Sequence, residues 1–126
     1  MASQYPSALE LVGDTPSVRL LNVGADTGST ILAKLEYLNP GGSVKDRIGL
    51  AMLEAAERDG LLKPGGTIVE PTSGNTGVGL AIDAASKGYR CIFVIPDQFS
   101  LVKITLPRAR GSDVVISCTD ADTHVR

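Results

Sequence analysis

The sequence predicts an α/β fold built on a parallel sheet. Three short runs are continuously apolar and β-branched: Thr67-Ile68-Val69-Glu70, Cys91-Ile92-Phe93-Val94-Ile95 and Val114-Val115-Ile116. The segments between them have helical length and end at Gly88 and Gly111. Strand, helix, strand, helix, strand at this spacing is a βαβαβ unit, whose strands pair in parallel. Two glycine-bearing loops, 39–47 and 71–77, each run into a helix. In such sheets ligands bind beyond the carboxyl ends of the strands, where the second loop falls.

Bulk properties narrow the function. The 126 residues suffice for one domain with a core. The formal net charge is -2, with acids and bases mixed along the chain. No basic patch or interleaved aromatics argue for nucleic acid. Of the two cysteines, Cys91 and Cys118, neither belongs to a CxxC pair, and His124 is the single histidine, so no metal site is expected. No segment has the length and apolarity of a membrane span, and residues 1–10 lack signal-peptide character. The expectation is a cytoplasmic protein with reduced, buried thiols.

Taken in order, Ser7 to Val12 forms a short helix stopped by Gly13-Asp14, and Thr15-Pro16 restarts the chain extended. Val18 to Leu21 and Thr30 to Glu36 read as strands of an antiparallel hairpin around the polar loop 24–29. Ser43 and Asp46 have capping-box spacing. Ile48, Met52, Ala55 and Ala56 then fall on one helical face, with Glu54 and Arg58 paired on the exposed side. Gly60 stops that helix, and Pro64-Gly65-Gly66 is a turn. A small-residue helix runs from Asn75 to Lys87. A further helical segment, 100–110, is interrupted by Pro107, which ends or kinks it. Residues 119–126 form a polar tail.

Two motifs carry chemistry. Lys45 stands at a helix start, where the macrodipole disfavours an ammonium group. A lysine there is either splayed into solvent or kept as a nucleophilic amine. Pro71-Thr72-Ser73-Gly74-Asn75-Thr76-Gly77 joins a strand to a helix N-terminus. Its backbone N–H groups and hydroxyls suit a carboxylate or phosphate; without a ligand it is a plain helix cap. An alternative is a dinucleotide site, since Asp97 lies twenty residues beyond Gly77. The order GxxGxG departs from that fingerprint.

The chain resembles the pyridoxal-phosphate enzymes of the cysteine synthase and cystathionine β-synthase family. The resemblance rests on Gly13-Asp14-Thr15-Pro16, on Glu36 to Arg47, and on Lys63 to Gly77. It extends over nearly all of residues 8–118, with wording slightly closer to the cystathionine β-synthase branch. It implies fold type II, the tryptophan synthase β-like architecture. Lys45 would bind pyridoxal phosphate as a Schiff-base lysine and later move the α-proton. Asn75 would hydrogen-bond the phenolic oxygen of the cofactor ring. Thr72, Ser73, Gly74, Asn75 and Thr76 would hold the substrate α-carboxylate. The implied reaction is β-replacement on a serine-type amino acid, and a full-length member would be a homodimer.

By the same resemblance, residues 1–43 with their hairpin belong to the family's large domain. Residues 44–118 form an incomplete small mobile domain. The family's glycine- and threonine-rich phosphate loop lies further downstream, so the chain reads as an N-terminal part. The alternative of another class is a truncated α/β module, catalytically inactive, that binds at most an amino-acid carboxylate or a partner chain. On this reading Val18, Leu20, Ile31, Leu32 and Leu35 have little to bury against, and the last strand has an open edge.

Overall fold

A computed structural model describes residues 4–72, 74–97, 108 and 111–117. The 100–110 segment with Pro107, Cys118, His124 and the polar tail lie outside the described residues, apart from Arg108.

The N-terminal part is extended and turn-rich. Ser7 caps a 3₁₀ turn, Ala8–Leu11, by accepting from the Leu9 N–H. β1 (Ser17–Arg19) pairs antiparallel with β2 (Leu32–Lys34), as expected. Both strands are shorter than their apolar runs. Flanking bonds from Leu20 to Ile31 (3.0 Å) and Leu35 to Pro16 (2.9 Å) extend the pairing. A 3₁₀ turn, Ala25–Thr27, then takes up the loop between left-handed Gly24 and Gly28. Val18 and Leu32 are exposed, while Leu20, Ile31 and Leu35 are half-buried.

The second part is the βαβ unit. β3 (Thr67–Glu70), β4 (Arg90–Pro96) and β5 (Asp113–Ser117) form a parallel sheet in that order. Lys63-Pro64-Gly65-Gly66 makes the turn into β3, with Gly66 donating to the Lys63 carbonyl at 2.8 Å. Gly65 supplies the positive φ (74°) that follows proline in such a turn. α2 (Asn75–Lys87) crosses from β3 to β4 and ends at left-handed Gly88. Its Leu80, Ala81 and Ala84 pack on Cys91, Phe93 and Ile95 of β4, which form the core. Phe93 and Ile95 are both fully buried.

α1 (Lys45–Arg58) lies beside α2 and runs the same way. Lys45 stands against Gly79, Gly49 against Leu80, and Glu57 beside Lys87. At the far end the Glu57 carboxylate accepts from Lys87 (2.6 Å) and from the Tyr89 hydroxyl (2.7 Å).

The buried face of α1 differs from the one its apolar pattern predicts. Asp46, Gly49 and Leu53 are buried, whereas Ile48 and Met52 are exposed by 39% and 44%. The reason is steric. The helices approach until a Cβ at Gly49 would stand 2.9 Å from the Leu80 backbone nitrogen, so the seam admits glycine and excludes branched residues. Met52 and Ala56 instead line an open groove of about 250 Å³ beside β3. Arg58 bonds to Asp59 at 3.0 Å.

The seam yields a test. In Gly49→Ala the added methyl meets the Asp83 carboxylate at 2.7 Å as well as that backbone nitrogen. Alanine's better helix propensity recovers about 1 kcal/mol, but overpacking against backbone costs about 1–3 kcal/mol. Thermal unfolding should show a net loss of stability. At Gly28, where an added Cβ would meet nothing within 4 Å beyond its chain neighbours, Ala should cost only the left-handed strain of about 1–2 kcal/mol.

Candidate active site

The loop that delivers Lys45 is fixed by a hub of polar groups. The Glu36 carboxylate accepts from Arg47 through both oxygens, from Nε at 2.8 Å and Nη2 at 2.9 Å. Such a two-pronged pair fixes orientation as well as charge. Glu36 also accepts from the Thr15 hydroxyl at 2.6 Å and the Asn39 amide at 2.9 Å. The buried Asn39 side chain then ties three segments together. It donates to the carbonyls of Glu36 (2.7 Å) and Ser43 (3.1 Å) and accepts from the Gly13 N–H (2.8 Å). Arg47 first and Thr15 next hold the Glu36 acid down to about 2, from 4.5. The motif residues 13–16 and 36–47 therefore meet in space around one carboxylate.

The capping box predicted from Ser43 and Asp46 forms only in part. The Ser43 hydroxyl accepts from the Lys45 N–H at 3.1 Å. The Asp46 carboxylate reaches back to the N–H of Gly41, two residues earlier than the box requires. Val44 already has helical backbone at the cap position, which moves the start of the helix. Gly42 takes a φ of +82° where the loop turns, a conformation that favours glycine.

The second loop follows β3, at the carboxyl end of the sheet. Thr72 is half-buried, and its methyl lies 2.8 Å from where a Gly77 Cβ would stand. Only glycine at 77 lets the loop close on the helix. The Gly74 N–H faces the Thr72 hydroxyl at 3.4 Å. Gly74 and Asn75 are exposed and Thr76 half-buried. Ser73 lies outside the described residues.

The two helix starts differ electrostatically. α1 carries Asp46 in its first turn. α2 has no acid there, and its cap residue, Gly74, has no side chain to bond the first N–H groups. The positive end of α2 is therefore open to an anion from outside. The two sites are brought together by backbone. A Cβ on Gly79 would stand 3.0 Å from the Lys45 carbonyl oxygen. Lys45 thus begins its helix one turn along from Asn75, at the same end of two parallel helices. Gly79 is buried against Lys45 and Asp46, so it serves helix packing.

The sequence and fold are matched among known proteins. Residues 8–126 match the family of pyridoxal-phosphate dependent enzymes. The chain belongs to that family. It is 55% identical over 118 residues to cystathionine β-synthase of Oryctolagus cuniculus, covering 92% of this chain and 21% of the relative. It is 54% identical over 108 residues to cysteine synthase of Staphylococcus aureus (strain Mu50 / ATCC 700699), covering 86% and 35%. The crystal structure of O-ureido-L-serine synthase superposes with a TM-score of 0.88 at 43% identity, covering 97% of this chain and 38% of that one. The sheet and helices are thus part of the fold-type II architecture of pyridoxal-phosphate enzymes. The chain spans well under half the length of these relatives.

The residues present fit the family's cofactor and an amino-acid carboxylate. Lys45, whose backbone packs beside α2, begins its helix near an uncapped helix start, with a threonine hydroxyl on the loop and open space around Gly74. Among the described residues no cluster has the ligands for a metal ion, and no helix is long and apolar enough to cross a membrane.

Sequence reasoning missed Glu36, Asn39 and Thr15 as organisers, and Gly49 and Gly79 as the contact between the helices. Glu36 and Arg47 lie eleven positions apart, outside any local pairing rule. The signal available was the polarity of a motif that no helix or strand period explains.

The hub sets an acid limit. Unfolded Glu36 takes up its proton near pH 4.5, the folded residue only near 2. Between these values the unfolded state binds more protons, so the contribution is present above 4.5 and lost as pH falls through about 2. Urea unfolding should show this acid slope in the native chain and a weaker one in Glu36→Gln.

Proposed function

We propose that this chain carries the lysine and carboxylate cradle of an enzyme for β-replacement on a serine-type amino acid. The reaction belongs to sulfur amino-acid synthesis, as serine with homocysteine or O-acetylserine with sulfide. The close approach of Gly79 to the Lys45 carbonyl supports this reading most, because it holds the Lys45 backbone and the anion loop at the same end of two helices. Similarity to cystathionine β-synthase, cysteine synthase and O-ureido-L-serine synthase supports the reaction class.

Each residue has a role on this reading. Lys45 Nζ holds the cofactor covalently and afterwards carries the substrate α-proton. Pyridoxal phosphate, when bound, supplies the electron sink. The Asn75 amide bonds the phenolic oxygen of the cofactor ring. Thr72, Ser73, Gly74, Asn75 and Thr76 hold the α-carboxylate at the start of α2, where the helix dipole favours it. The protein is cytoplasmic, and a full-length member is a homodimer.

A second reading is that these residues bind an amino-acid carboxylate but turn over only with further polypeptide. Exposed Leu61 (82%), Leu32 (61%) and Val69 (60%) favour it, as does the small share of the relatives that the chain spans. Turnover of serine with homocysteine, or of O-acetylserine with sulfide, by the 126-residue chain would eliminate this reading.

Added pyridoxal phosphate should give a visible absorption band that borohydride fixes on Lys45, located by peptide mass spectrometry. Equal labelling of Lys45→Ala would refute the assignment. Thr72→Val removes one donor to the carboxylate, and serine affinity, read by titration of that band, should fall about tenfold.

A further inference from the structure

Two carboxylates lie in the seam between α1 and α2 and have no part in holding cofactor or substrate. Asp46 is 2% exposed and Asp83 is 1% exposed. Oδ1 of Asp46 and Oδ2 of Asp83 are buried without a hydrogen-bond donor. The Asp83 Oδ2 lies against Gly49, and the Asp46 backbone against Gly79. The acids therefore sit about one turn apart on facing helices. A buried carboxylate with an unpaired oxygen is costly to ionise, and two near each other more so. A proton on Asp83 would remove its charge from this buried seam.

We propose that Asp46 and Asp83 form a proton-dependent latch that holds the start of α1 against α2 when Asp83 is protonated and loosens it when Asp83 is ionised. Asp46 transmits the change, because its other oxygen accepts from the Gly41 N–H and its neighbour is Lys45. Burial first, and the Asp46 charge second, push the Asp83 acid from 3.8 up to about 7. Lys87 on the same helix opposes this and Glu54 of α1 adds to it. Beneath α2, the Cys91 thiol of β4 is pushed by burial up to about 11 and stays neutral. The carboxylate of the Ala8–Leu11 turn, Glu10, is exposed.

The direction follows from the proton count. Above 3.8 the unfolded chain has released this proton, and the folded chain keeps it until about 7. Stability therefore falls as pH rises from about 4 to about 7, then levels off. The consequence for Lys45 rests on the cofactor reading above; the linkage itself does not.

The test compares the 126-residue chain with Asp83→Asn and Asp83→Ala between about pH 5 and about pH 8. The melting temperature of the native chain should fall over that range, and that of either variant should not. Amide exchange, corrected for its intrinsic pH dependence, should lose about tenfold protection at residues 41–49 in the native chain alone. Parallel pH profiles in all three chains, or protection lost equally over the whole chain, would overturn the latch. If both variants fail to fold, Asp46→Asn removes the second cause of the shift and leaves burial, so the slope should weaken without vanishing; a slope equal to the native one there also overturns the latch. A chain that shows the latch but takes no borohydride-fixed cofactor on Lys45 would overturn the cofactor reading and leave the latch standing.

Discussion

The close passage of two parallel helices at Gly49 and Gly79 is the constraint on which the rest depends. Side chains at those positions would hold α1 and α2 apart, because the atoms they would meet include backbone. With glycine, the helices touch near their starts, and both N-termini face the carboxyl end of the sheet. Two positive helix ends at one place are an unfavourable arrangement for the chain alone. Asp46 offsets one of them from within. The other is left for an anion. The electrostatic demand of the fold and the chemical demand of the site are thus met by the same geometry.

The contact would have little value if the loop before Lys45 were free to swing. Glu36 prevents that by engaging Arg47, Thr15 and Asn39 at once. An exposed ion pair adds little stability on average. This one joins chain segments far apart in sequence, and its two-pronged geometry fixes a direction. Its value lies in restricting where the α1 start can be, more than in added stability.

Much of the architecture was legible. β3 and α2 begin and end where their residue patterns place them, and the parallel pairing follows from the spacing. These elements obey local rules: β-branched runs make strands, and glycine ends a helix. The face of α1 was misread because its buried seam is made of Gly49, Asp46 and Leu53, a set with no hydropathy signal. The two loops were legible as motifs, by residue type and spacing. Their mutual placement was not, since it depends on which helices pack together. The Glu36 hub was hidden for the same reason, its members being spread from Gly13 to Arg47.

The order of the sheet, β3-β4-β5, repeats the order of the chain. Each strand therefore finds its partner next to it in sequence, across a single crossover. Ring closures are short, and the entropy lost in each grows only slowly with length. Such a sheet can be laid down from one side as the chain is synthesised, with β3 and α2 complete before β5 arrives. The Glu36–Arg47 pair spans a separate, earlier stretch and needs nothing from the sheet. The start of α1 can thus be anchored before the βα unit docks against it, so the seam between the helices closes last between two parts already formed.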